Sequence, residues 1–226
     1  MAIEKTVFSA GTINEVGAWL IANATDYFDE VAMNGSTIEC SIGEQVVLAI
    51  SYSGSTSVQT NLSITPVGEE TAETRCFKNS ATATGNIHTA YKTSKGILLA
   101  CWQSYSLIIC KNADGDTCLV MVTYQYPTSS TSNKPLEVWD IENSSASYKV
   151  FDKSSQQPAS LLPYDKAYNG SSMSLFPLMT ASGKTIPGVY CSIIHPYTSE
   201  YLIGGIELQL GASDKYAFTG LLALGE

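Results

Sequence analysis

The chain has 226 residues, with 12 basic against 21 acidic groups and a formal charge of −9; Arg75 is its sole arginine. A phosphate backbone would meet net repulsion and no bidentate grip, so nucleic-acid binding is excluded from the reading. Apolar residues make up 44% of the chain and charged residues 15%, with 17 Gly and 13 Tyr, which argues against a disordered tail and for a β-rich protein surfaced by hydroxyl groups.

The N-terminal MAIEKTVFSAG lacks a basic segment followed by an apolar core, and no run approaches the roughly 18 apolar residues of a membrane span, so neither an export signal nor a membrane is expected. TINEVGAWLIANATDYFDEV predicts an amphipathic helix. Thr12 and Glu15 form a capping box, and Ile13, Val16, Leu20, Ala24, Tyr27 or Phe28, and Val31 recur at helical steps until Met33-Asn34-Gly35-Ser36 stops them. The period then becomes strand-like. Residues 36–42, 43–53 and 59–67 read as strands, and Leu62 and Ile64 alternate with Asn61 and Ser63. Ile87 to Tyr91 and Ile97 to Trp102 read as hairpin arms, with Leu107 to Cys110 as another arm.

CKNADGD, residues 110–116, has oxygen-bearing side chains at alternate positions and raises the question of a metal. Counted from Asn112, the sixth and twelfth positions are Thr117 and Thr123, where a calcium loop needs Gly and Glu. The flanks SLIIC and TCLVMVTYQY are β-favouring runs, so a hairpin connection is expected. YPTSSTSNK marks a linker or exposed loop, which divides the chain into a helix plus antiparallel β unit over 1–126, a connection over 127–135 and a second β unit over 136–226. In the second unit, 136–141, 147–151, 174–179, 189–194, 202–210 and 215–224 read as strands, and 152–172 as a long irregular loop. Lys95-Gly96 followed by GILLACW and YSLIIC faintly parallels Gly188 followed by VYCSII and YLIGGIEL, which would suit a duplicated β unit. The predicted fold class is therefore mainly β (α+β): an N-terminal amphipathic helix packed on short antiparallel strands and hairpins, with two related β units as an open alternative.

Six cysteines, several inside apolar runs, are expected to be free and mostly buried. G-x-S-x-G, the phosphate loop ending in Gly-Lys-Ser/Thr and G-x-G-x-x-G are absent, and only His88 and His195 could serve a thiol enzyme or a zinc site with Cys191. Asp140 and Glu142 would share one strand face, as a carboxylate site or as a solvated edge. No catalytic, cofactor-binding or metal residue is assigned, and no cofactor is expected. Aromatic residues near strand ends and loops, Trp102, Tyr105, Trp139, Tyr164, Tyr168 and Tyr197, form a candidate interface or ligand platform, the alternative being that they fill a thin β core.

From MAIEKTVFSAGTINEVGAWLIANATDYFD through short Ser/Thr-rich strands to YAFTGLLALGE, the chain resembles tail- or capsid-associated structural proteins of phages and prophages of gut Gram-positive bacteria. The resemblance implies a non-enzymatic virion component made in the bacterial cytoplasm, with reduced cysteines, assembled as a homo-oligomer or with other virion proteins. The alternatives are a glycan- or small-molecule-binding module of an extracellular or surface protein, and a cell-wall hydrolase.

Overall fold

The computed structural model describes residues 3–53, 59–78, 86–101, 105–124, 136–142, 175–179, 184–192, 206–210, 214–218 and 222–225. They form a mainly β fold with one N-terminal helix packed against antiparallel sheets. The helix α1 (Ile13–Asn23) begins with both halves of the expected capping box: Thr12 Oγ1 accepts from Glu15 N, and the Glu15 carboxylate accepts from Thr12 N. Hydrogen bonding from Ser9, and then from the backbone around the cap, lowers the pKa of Glu15, so the cap holds its anion.

The helix is shorter than its apolar spacing predicts. Ala24 is its C-cap, Asn23 Nδ2 donates to Trp19 O at 2.8 Å, and Thr25-Asp26 lead into a turn. Tyr27 and Phe28 are buried in the same core as Val16 and Leu20, which is why they mimic one helical face while standing outside the helix. Val31 belongs to strand β2 (Glu30–Asn34), and the expected helix stop is a hairpin loop, with Gly35 at φ 60° ahead of β3 (Thr37–Ile42).

One five-stranded sheet runs β2-β3-β4-β5-β6, adding β4 (Gln45–Ser53), β5 (Gln59–Ile64) and β6 (Glu73–Lys78). The six-stranded sheet runs β1-β7-β8-β9-β10-β11, from β1 (Glu4–Val7) and β7 (Ile87–Lys92) through β8 (Gly96–Cys101), β9 (Tyr105–Lys111) and β10 (Cys118–Tyr124) to β11 (Leu136–Asp140). A third sheet runs β12-β13-β16-β15-β14, from β12 (Leu175–Met179), β13 (Thr185–Ser192), β14 (Ile206–Leu210), β15 (Asp214–Phe218) and β16 (Leu222–Leu224).

The six-stranded sheet is the middle layer. The side chains on one of its faces, among them Ile97, Leu99, Leu107, Ile109, Val120 and Val122, join α1 and the β2–β6 sheet in one core. Those on the other face, Leu98, Ile108, Cys110, Leu119 and Met121, join Leu178, Ile186, Val189, Leu222 and Leu224 in a second core. Both faces being covered, β8 is buried at every position and β9 at all but its last; hence the unbroken apolar runs GILLAC and SLIIC, where a half-exposed strand would alternate. β5 does alternate: Thr60, Leu62 and Ile64 are buried and Gln59, Asn61 and Ser63 are partly exposed.

Two glycines allow the outer layer to approach the middle one. A Cβ on Gly96 would stand 2.9 Å from both Ile109 O and Leu224 Cδ1. Gly188 has φ 71°, and its Cβ would fall 2.3 Å from Lys95 Cβ. The two stretches that look alike in sequence thus pack against each other. Their sheets do not share a strand order, however: β8, β9 and β10 are successive neighbours, whereas β13 pairs with β16 and not with β14. The expected strand over 215–224 is two strands, β15 and β16, paired antiparallel.

The boundary expected at 127–135 does not separate sheets. Leu136–Asp140 pairs along β10 with Leu119↔Asp140 through Thr123↔Leu136, so the chain re-enters the same sheet. Residues 127–135 themselves, and the strand expected over 147–151 and the loop over 152–172, lie outside the described residues.

Candidate functional site

A cluster of charge and aromatic side chains joins the edge strands β6 and β11. Arg75, on β6, donates Nε to Glu137 Oε2 at 2.9 Å and Nη2 to Glu137 Oε1 at 3.1 Å, a bidentate pair that ties the β2–β6 sheet to the middle sheet. Its Nη1 also bonds Glu73 Oε2 at 3.1 Å and Thr74 O at 3.0 Å. The guanidinium lies 5.9 Å from the Trp139 ring centroid, within cation–π range. Glu137 is 2% exposed, because Leu136 and Val138 face the second core and turn the alternate side chains inward against β6. The chain's one guanidinium therefore acts as a tie between layers.

A second polar group surrounds the β9–β10 turn. Asn112 Oδ1 accepts from Asp114 N and Gly115 N, Asn112 N donates to Thr117 O, and Gly115 takes φ 84°: the connection is a turn, as CKNADGD predicts, organised by Asn112. Asp114 is exposed and pairs with Lys184 at the start of β13. Asp140 is buried and accepts from Glu142 N, while Glu142 Oε1 accepts from Cys118 N at 2.9 Å. Asp140 is thus buried and Glu142 exposed, and both fasten the end of β11 to the start of β10, Asp140 through Thr117 Oγ1 and Glu142 through Cys118 N. Among the described residues, no group of three His, Cys, Asp or Glu could hold a metal ion.

Of the aromatic platform, Trp139 is half-buried and touches the first core. Tyr105 is fully buried and stacks on Phe77 with centroids 3.8 Å apart, joining the two sheets from inside; it stands in no surface. Burial raises the pKa of its hydroxyl well above the usual tyrosine value. Trp102, Tyr164, Tyr168 and Tyr197 lie outside the described residues. His88 is half-buried at the irregularity in the β7–β8 register, with its pKa lowered by burial and then by Lys5. Of the Cys191–His195 pair, His195 lies outside the described residues.

Five described cysteines are free; Cys40, Cys101, Cys110 and Cys118 are buried, and Cys76 is exposed. Cys76 departs from the expectation of shielding because β6 is an edge strand on which Thr74 and Cys76 face solvent; its thiol donates to Gln59 Oε1 at 3.4 Å. In native protein at pH 8, a thiol reagent should therefore label Cys76 within minutes while these four react only on unfolding. Peptide mapping of the label checks this, and equal labelling of Cys110 would show that the second core opens.

No family model, curated protein or solved structure matches this chain.

Proposed function

We propose that this chain is a non-enzymatic assembly component of a phage particle, made in the bacterial cytoplasm and built into a homo-oligomer or joined to other virion proteins. The observation that carries this reading is the use made of the groups that could do chemistry. The sole arginine ties two sheets, Asp140 and Glu142 fasten strand ends, and four thiols sit in packed cores where burial keeps them protonated. A three-layer stack with its polar groups used as ties suits a rigid building block. The Ser/Thr-rich sequence texture described above supports the same reading.

Light-scattering mass over a concentration series, together with the coding neighbourhood of the gene, tests it. A multiple of 24.2 kDa alongside capsid or tail genes is expected. A strict monomer that bound a defined glycan, with binding lost on Trp139→Ala, would overturn it in favour of a binding module.

A further inference from the structure

We propose that the solvent face of the β2–β6 sheet is the surface on which a second copy of this chain docks, sheet face to sheet face. This rests on the assembly reading above and assigns it a surface.

The inward positions of this sheet, such as Ile38, Leu48, Ile50, Leu62 and Ile64, fill the first core. The alternate positions form its other face. In register, Thr37, Ser51, Asn61 and Cys76 make one row across β3 to β6, and Glu39, Ala49, Ser63 and Thr74 make the next. None of these eight is buried. Their side chains are short, and the only charge among them is Glu39, which accepts from Asn34 Nδ2 at 3.2 Å.

Three properties point to a second copy. First, this face carries few long charged side chains, Glu39 in its middle and the exposed Glu30, opposite Ser41, at its margin. Ser, Thr, Ala and Asn also lose little rotamer freedom when covered, so docking costs less order than it would on a Lys- and Glu-rich face. Second, hydroxyls and amides both donate and accept, so the face can satisfy its own copy across a two-fold axis; a carboxylate-rich face cannot. With the axis parallel to the strands, β2 of one copy lies over β6 of the other, and the two Glu39 side chains stay apart. Third, strands about 4.8 Å apart with residues about 3.4 Å apart make the face roughly 24 Å by 20 Å, about 500 Å². Two copies then cover about 1,000 Å², where specific interfaces begin.

Ser51→Arg and Ser63→Arg each put a long cation in this face, and Asp116→Arg puts one in the β9–β10 turn as a control. Mass would be measured by light scattering across a concentration series, with circular dichroism and melting to confirm folding. The wild type and Asp116→Arg should give the same multiple of 24.2 kDa, and whichever face variants melt like wild type should need at least tenfold more protein to associate. Folded face variants that assemble like wild type would overturn this surface and leave the assembly reading standing. A wild type that stays at 24.2 kDa throughout would overturn both.

Discussion

Replacing Arg75 by Met is expected to destabilise the fold by about 3 kcal/mol, the low end for breaking a buried ion pair because Arg75 itself keeps 30% side-chain exposure. The loss comes from what remains: Glu137, with a side chain 3% exposed, would keep its desolvation and lose both guanidinium hydrogen bonds. The packing of the Arg75 stem and its contact with Trp139 matter less, since Met fills much of the same space. The test is a double variant. Arg75→Met with Glu137→Leu removes both charges and should recover most of the loss in urea denaturation, because burying two apolar groups carries no desolvation cost. A double variant as unstable as the single one would mean that the tie acts by shape and not by charge.

The second large effect is alkaline unfolding. Burial pushes the thiols of Cys40, Cys101 and Cys110 up to about 12, against an ordinary value of 9.0. Cys118 is raised well above the ordinary value too, by burial first, and burial raises the hydroxyls of Tyr27 and Tyr52. The unfolded chain releases these thiol protons near pH 9 and the folded chain holds them, so the stability they represent is complete below pH 9 and is lost as pH rises towards 12. The four thiols together give a slope of about 5 kcal/mol per pH unit between those limits. A domain holding about 5–15 kcal/mol should therefore unfold well before pH 12. Denaturant midpoints measured at pH 8, 9, 10 and 11 check this, and Cys110→Ala should flatten the slope by about a quarter. Midpoints that do not move between pH 9 and 11 would show that the thiols are open to water.

The sequence is most legible where burial is one-sided or complete. QTNLSI alternates and is a strand with one face in a core, and GILLAC and SLIIC are unbroken and are strands with both faces covered. What such runs do not carry is the identity of the covering layer, because two different cores can have the same apolar texture. Two strands escape the reading altogether. EKTV and ETRCFK are short, polar edge strands whose extended form is decided by the neighbours β7 and β5 and not by their own pattern. The apolar spacing predicts too long a helix because Tyr27 and Phe28 enter the core from a turn at a spacing a helix would also give. At the candidate site, the capping box and the CKNADGD turn are readable locally. The Arg75–Glu137 tie joins residues 62 apart in sequence, and its only local signals are the uniqueness of the arginine and a glutamate set in the apolar LEVW.

The N-terminal strand has a consequence for the order of events during synthesis. β1 pairs with β7, Glu4↔Lys92 through Val7↔Thr89, and between them lies the whole of α1 and the β2–β6 sheet. β1 therefore cannot be placed until about 90 residues have followed it, whereas β2 to β5 join successive neighbours and can zip as hairpins. At about 5–20 residues per second, β1 waits several seconds beside a sheet that is already forming. Until then β1 is an unpaired segment free to join the β7 edge of a neighbouring copy, so the time before closure is when domain exchange between copies can begin.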